Sequence, residues 1–461
     1  MKTYDAIIIG SGQAGTPLAK KLAKAGKKTA IIEKRFVGGT CVNDGCTPTK
    51  TLIASARMAY MATRKDLGVE IKDYKIDFPA IMQRKENIVL KSRNGGQKGL
   101  EETENLGLIF GDASFTGIKT VSINLNDGGE EELTAGLIFI DTGAKTTIPE
   151  IDGIKTVPYL TSTTILDLKE LPESLIIIGG NYIGLEFGQM FSRFGSKITI
   201  LEKGKRIMSK EDEDVSETVT QFLTEEGITI ISDAEISKAE KSPEEKITVT
   251  IKKDGQQQQV TASHLLIAAG RSPQTKTLNL DKTGVEVDEK GYIKVNDKLE
   301  TTAEGIYAMG DVKPGPAFTH IAYNDHLVVL KNLLENANVS IKGRPVPYCM
   351  FTDPQLGRIG LSEDEARKQG LDIKVAKLAM SHVARAVETD ETKGFMKAVV
   401  DAKTDQVLGA TVLGYEGGEV MSVLQMAMQG KITAHQLREN IFAHPTLSES
   451  INNLFMTIEE A

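Results

Sequence analysis

At 461 residues the chain is too long for a single core and is expected to divide into about three domains. Its composition, 40% hydrophobic and 26% charged, is that of an ordinary globular protein and excludes a fibrous or disordered chain. A formal net charge of -8 argues against a nucleic-acid partner or an anionic membrane surface, and no apolar run approaches the length that spans a bilayer.

Residues 4–9 read as an apolar strand, 13–25 as a small-residue helix and 28–33 as a second strand, the opening of a doubly wound fold. Met1 runs almost directly into that strand, so no signal peptide is expected. Between strand and helix lies Gly10-Ser-Gly12-Gln-Ala-Gly15. In a dinucleotide fingerprint, the first glycine permits the tight turn, the second lets backbone approach a pyrophosphate, and the third lets helix and strand pack closely. The helix N-terminus then holds the phosphates, and Glu33, ending the next strand, is placed to accept hydrogen bonds from a ribose. A glycine triplet alone is weak; strand, helix and acid together make a chance turn improbable.

The next segment is the most informative: Gly38-Gly-Thr-Cys41-Val-Asn-Asp-Gly-Cys46-Thr-Pro-Thr-Lys50. Four residues between the cysteines, one of them glycine, allow the Cα separation of roughly 4.4–6.8 Å that a disulfide demands. A helix running on from Cys46, expected over about 45–64, puts that sulfur at a positive helix end and lowers its pKa. Lys50, one turn along, is poised to pair with a carboxylate or to stabilise a reduced flavin. Zinc and two inert thiols are the rivals. Zinc takes four Cys or His ligands, and only Cys349 and six scattered His remain, so no metal site is expected. Inert thiols would need neither the glycine-rich flanks nor the lysine. Three cysteines make no secreted disulfide framework, so the expected compartment is the reducing cytoplasm. Cys349 is expected to be a buried structural thiol.

Residues 107–140 read as short strands broken by turns such as Asn126-Asp-Gly-Gly. At Leu171-Pro-Glu-Ser the opening pattern restarts: a strand at 175–178, a helix at 182–194 and a strand at 197–202. The second fingerprint, Gly179-Gly-Asn181-Tyr-Ile-Gly184, has Asn181 at its middle position, where a tolerance for positive φ is expected to preserve the turn. Glu202 at the matching acid position would repel a 2′-phosphate and favours NADH, whereas Lys203, Lys205 and Arg206 close by are placed to reverse that preference. The cluster Lys210-Glu-Asp-Glu-Asp214 is expected to be a solvated helix start and 243–260 a solvated hairpin. The stretch 301–311 reads as a strand ending in Gly310-Asp311, with Asp311 placed to accept hydrogen bonds from a polyol. From about residue 345 a strand-rich and helical segment without a glycine fingerprint forms a third domain.

With these motifs assembled, the chain resembles the class I pyridine nucleotide–disulfide oxidoreductases, the family of dihydrolipoamide dehydrogenase, glutathione reductase and mercuric reductase. The resemblance covers essentially the whole length and adds His444-Pro-Thr-Leu-Ser-Glu449. It implies an α/β fold: two Rossmann-like domains for FAD and NAD(P), plus a C-terminal α+β dimerisation domain. The expected limits are 1–150 and 271–340 for the FAD-binding segments, 151–270 for the NAD(P) domain and 341–461 for the interface domain. By motif position Gly10, Gly12, Gly15, Glu33, Thr40, Thr142, Gly143, Gly310 and Asp311 would bind FAD. Gly179, Tyr182, Gly184, Glu202 and Gly270 would bind the nicotinamide nucleotide, with Tyr182 as the gate of its pocket. Cys46 would face the flavin, Cys41 would exchange with substrate, and Lys50 would pair with Glu186 at the reactive ring edge. His444, oriented by Glu449, would serve as base and acid for the other subunit of a homodimer. Thr446-Leu-Ser-Glu449 also reads as a capping box that starts a helix.

The implied activity is electron transfer from NAD(P)H through FAD to the Cys41–Cys46 disulfide and on to a small disulfide substrate. Two alternatives remain open: a mercuric-reductase-like reductase of a metal ion or small oxidant such as hypothiocyanous acid, and a non-catalytic flavin redox sensor. Mercuric reductases would carry a C-terminal cysteine pair, which Ile451–Ala461 lacks, yet Thr47-Pro-Thr-Lys50 and Phe351-Thr-Asp-Pro-Gln-Leu-Gly resemble that branch. Dihydrolipoamide dehydrogenase matches the His444–Glu449 block but differs around Asp44.

Overall fold

The computed structural model describes residues 1–242 and 244–458. Strand Lys2–Ile9 pairs in parallel with Thr29–Glu33 on one side and with Glu130–Ile140 on the other. Leu106–Gly117 lies parallel to Thr29–Glu33, and Ile306–Ala308 parallel to the end of Glu130–Ile140. The apolar run Ala6–Ile9 is wholly buried because helices and loops cover both faces of this parallel sheet. Leu106–Gly117, Thr120–Leu125 and Glu130–Ile140 continue as an antiparallel meander. The short strands expected over 107–140 are therefore three, and the first and last of them pair both with the parallel strands and within the meander of one six-stranded sheet. The expected helix of 13–25 begins at Gly15, that of 45–64 at Cys46, and the long helix Phe78–Glu101 had no counterpart in the sequence reading.

The second unit repeats the plan. Ser174–Ile178 sits centrally in an all-parallel sheet, between Lys197–Leu201 and His264–Ile267. A second antiparallel meander, Glu235–Lys241, Ile247–Lys253 and Gln256–Ala262, follows. The hairpin expected at 243–260 forms here, apart from Pro243, which lies outside the described residues. It is not solvated throughout: Ile247–Ile251 is buried and packs into this unit's core, while the glutamine strand faces water. The two units join through a ladder between Ala144–Thr146 and Arg271–Pro273.

The third unit is a five-stranded antiparallel sheet, Tyr348–Met350, Gln355–Gly360, Val407–Gly414, Phe395–Asp401 and Ile373–Ala379 in spatial order, backed by helix Gly417–Gln429. One apolar cluster crosses all three units, from Leu52 through Ile177 and Phe191 to Met350, Leu356 and Phe395. The cluster 210–214 also departs from expectation. Glu211 and Asp212 are buried, Glu211 against Arg358 at 3.0 Å and Asp212 against Lys397 at 2.7 Å, so the acids clamp the second unit to the third. The sequence offered no sign of it, because both cations lie more than 140 residues away.

Candidate active site

The first fingerprint holds the geometry that its glycines promise. Gly10 has φ +105°, and a Cβ there would lie 2.3 Å from the Asp141 carbonyl oxygen. A Cβ on Gly15 would lie 2.3 Å from the Gly10 carbonyl oxygen, and one on Gly12 would lie 2.8 Å from Asp141 Oδ2. Asp141, which the sequence reading passed over, is thus central. Its buried carboxylate accepts a 2.7 Å hydrogen bond from the Gly15 N–H. Burial holds it well above the usual carboxylate range, against the pull of that N–H. A strand-end acid immediately before Thr142-Gly143 was the available signal. Glu33 accepts from Ser11 N (3.1 Å), Ser11 Oγ (2.7 Å) and Arg35 N (2.8 Å), fixing the loop beside its strand.

The second fingerprint copies this arrangement. Glu202 accepts from Gly180 N at 2.7 Å and Gly204 N at 2.6 Å, the positions equivalent to those that Glu33 holds. Gly179 has φ +116°, and a Cβ on Gly184 would lie 2.0 Å from the Gly179 carbonyl oxygen. Asn181 does not adopt positive φ: its backbone is extended at φ -111° and ψ 177°, and its side chain accepts from Tyr182 N at 2.9 Å as a helix cap. The middle position of this turn requires space rather than a left-handed backbone, so a capping residue fits it.

Between the units lies a cavity of about 880 Å³. Gly10, Gly12, Glu33, Thr40, Thr142, Gly143 and Asp311 line it, together with Cys41, Cys46, Lys50, Tyr182 and Glu186. Gly15 and Gly310 are buried behind the wall. Gly179, Gly184, Glu202 and Gly270 belong to the second unit's turn, outside the cavity.

The redox segment rests directly on the first fingerprint. A Cβ on Gly39, φ +62°, would lie 2.7 Å from Gly12 Cα, so only glycine allows the contact. A short helix, Gly39–Asn43, carries Cys41, and Asn43 ties it down by donating to Val37 O (3.1 Å) and Gly39 O (3.0 Å). After Gly45 a second helix, Cys46–Thr63, starts with Cys46 at its positive end. Both sulfurs are thiols here. The interaction with Cys41 pulls the Cys46 thiol down to about 6 against its burial, helped by Thr319 Oγ1 at 3.4 Å and by Lys50. Cys41 moves the opposite way, pushed up by the same sulfur contact and by burial. Lys50 Nζ lies 2.7 Å from Glu186 Oε2, and it sits 4.6 Å above the Phe351 ring. The Phe351 N–H donates to Glu186 Oε1 at 2.8 Å.

Cys349 is not a core thiol. It is half-buried on the cavity wall, and burial near Glu186 pushes it up to about 12. Tyr182 packs 6.1 Å from Phe318, which stacks in turn on His320 and Tyr348. His444 Nδ1 lies 2.9 Å from both Glu449 oxygens, but the imidazole is 69% exposed and outside the cavity of its own chain. The expected capping box does not start the helix, which begins at Ser450 with Glu449 as its N-cap and no side-chain cap. Thr446 Oγ1 accepts from Glu449 N at 3.2 Å, while the Glu449 carboxylate turns to His444 rather than back to the cap.

Two dinucleotide turns, a thiol pair and a lysine–carboxylate pair around one cavity define a flavin- and nicotinamide-dependent disulfide reductase, and the comparisons agree. The pyridine nucleotide-disulphide oxidoreductase family matches residues 4–325 and its dimerisation domain matches 346–455, so the chain belongs to that family. It is 38% identical to the probable pyridine nucleotide-disulfide oxidoreductase RclA of Escherichia coli, over all of both chains. It is 36% identical to a mercuric reductase of Bacillus cereus, covering 99% of this chain and 72% of that one. It is 31% identical to the dihydrolipoyl dehydrogenase of Geobacillus stearothermophilus, covering 96% and 94%. A solved structure described as the Cu(II) complex of HOCl-induced flavoprotein disulfide reductase RclA superposes with a TM-score of 0.91, over 99% of this chain and 100% of that one, at 38% identity. The protein is an FAD-dependent NAD(P)H disulfide oxidoreductase. The residues present fit FAD: the first turn closes on itself wherever a Cβ is added. Asp311, raised by burial and facing the cavity, makes no hydrogen bond among the described residues and so is free to accept from a polyol. No helix among the described residues is long and apolar enough to cross a membrane.

Proposed function

We propose that the chain takes reducing equivalents from NADH, stores them as the Cys41–Cys46 dithiol and delivers them to a small disulfide. The observation that carries this reading is the polarised thiol pair, with Cys46 lowered to about 6 and Cys41 raised, on the wall of the cavity between the two dinucleotide turns. Gly10, Gly12, Gly15, Glu33, Thr40, Thr142, Gly143, Gly310 and Asp311 hold FAD. Gly179, Tyr182, Gly184, Glu202 and Gly270 hold the nucleotide. Bound FAD supplies a ring that accepts hydride and relays electrons to sulfur.

Cys46, stabilised as thiolate by Cys41, Thr319 and Lys50, keeps its negative charge. Cys41 stays protonated until a base removes its proton. Its thiolate then attacks one sulfur of the substrate, the substrate S–S bond breaks, and the departing thiolate takes up a proton. Cys46 next attacks the Cys41 sulfur of the mixed disulfide, which restores the Cys41–Cys46 bond and releases the second substrate sulfur as a thiolate that takes its proton from solvent. His444, held by Glu449, is the base and acid, and it reaches Cys41 from a second copy of the chain in a homodimer. The exposure of this dyad and its position outside its own cavity support that assignment. In the proposed division at 1–150, 151–270, 271–340 and 341–461, the ladder that joins 144–146 to 271–273 supports the limits near 150 and 271. The cysteine usage supports the cytoplasm.

NADH is preferred because the Glu202 carboxylate is anchored by two N–H groups at the end of its strand, while Arg206 is turned onto Glu211 O at 2.8 Å. A second reading makes the acceptor a small oxidant or a metal ion. Similarity to mercuric reductases and to an HOCl-induced reductase described as a Cu(II) complex favours it. Glu416 and Glu419 on the cavity wall also disfavour an anionic disulfide. Anaerobic titration with each nucleotide tests the donor: NADH develops the long-wavelength thiolate–flavin absorption at lower concentration than NADPH. An NADPH-first order would overturn the preference. A panel of disulfides, hypothiocyanous acid, Hg(II) and Cu(II) then ranks the acceptors.

A further inference from the structure

We propose that Asp353 is a positioning residue for the redox centre, acting as a second staple between the helices that carry Lys50 and Glu186. Lys50 and Arg57 stand seven residues apart on helix Cys46–Thr63, and Glu186 and Arg193 stand seven apart on helix Tyr182–Phe194. Seven residues make about two turns, so each pair shares a helix face. The Lys50–Glu186 contact joins the two helices at the cavity end. At the far end the Asp353 carboxylate lies between the arginines, one oxygen on Arg57 and the other on Arg193 at 2.7 Å.

The segment bearing Asp353 is itself laid along helix Tyr182–Phe194. Its backbone exchanges two 2.8 Å hydrogen bonds with the Gln189 side chain, and two residues earlier Phe351 bonds Glu186 and underlies Lys50. A shift at Asp353 therefore travels one short loop to both members of the Lys50–Glu186 pair. Arg193, with its side chain 6% exposed, and Asp353, at 12%, are screened from water, so the contact is stronger than a surface ion pair. Arg57 also holds Glu391 at 2.7 Å and Arg193 holds Glu226 at 2.8 Å, so loss of the Asp353 charge leaves each arginine with a partner.

The proposal rests on the reading that Lys50 supports the Cys46 thiolate, and the experiment separates the two. The holoenzyme, its Asp353→Asn and Lys50→Met variants and the double variant are reduced anaerobically. The pH at which the thiolate–flavin absorption is half developed is then measured for each. Lys50→Met raises that pH; if it does not, the underlying reading fails. Asp353→Asn raises it too, and in the Lys50→Met background it adds nothing, because its effect passes through Lys50. An unchanged value for Asp353→Asn, or the same increment in both backgrounds, overturns the proposal. If Asp353→Asn does not accumulate as folded protein, Arg57→Gln removes the other half of the contact and is read in the same way.

Discussion

At Cys46 three separate supports converge on one sulfur: the neighbouring thiol, the Thr319 hydroxyl and the Lys50 ammonium, all opposing burial. With the thiol lowered to about 6, Cys46 is mostly thiolate at neutral pH, whereas Cys41 remains a thiol. The sign follows directly: any change that removes a stabiliser of the anion moves the thiolate transition to higher pH. Thr319→Val deletes a donor without changing the shape of the side chain. It is expected to raise the pH at which the thiolate–flavin absorption is half developed, and an unchanged or lowered transition would remove Thr319 from the account. The cysteine pair and Lys50 were legible because their spacing is local. Thr319, 273 residues from Cys46, and Phe351, 165 from Glu186, were not, since no local pattern records which distant loop closes on a site.

Among the elements, the two glycine turns tolerate least. A methyl group on Gly15 meets backbone rather than a flexible side chain, so Gly15→Ala forces strand and helix apart. A cost of about 1–3 kcal/mol in a denaturant melt is expected, with poorer retention of flavin after gel filtration. The clamp on the third unit is a separate test. Lys397, with its side chain 3% exposed, contacts Asp212 at 2.7 Å and Asp214 at 2.9 Å, and Lys397→Met leaves the buried Asp212 carboxylate without its cation, held by the Glu363 and Asp364 N–H groups. That variant should lose about 3–5 kcal/mol of stability, read from the same melt. The glycine fingerprints could be read from sequence because strand, turn and helix are contiguous. The 210–214 cluster misled for the opposite reason: a charge run looks solvated until the distant cations that bury it are known. Asn181 misled differently, because the position demanded room rather than a special φ.

For the whole molecule, two dinucleotide units and an interface unit assemble a cavity that His444 does not reach within one chain. Mixing the inactive Cys41→Ser and His444→Gln proteins under conditions of subunit exchange should restore part of the activity, since each mixed dimer then holds one intact site. No recovery in demonstrably mixed dimers would place the base elsewhere. The account as a whole depends on the dithiol as the outlet for electrons. Its most direct test is the number of electrons taken up per flavin in an anaerobic reductive titration of the oxidised holoenzyme and of Cys41→Ser. The native protein should accept roughly twice as many as the variant, because the cysteine pair adds a two-electron couple to that of the flavin. Equal uptake by the two proteins would contradict it.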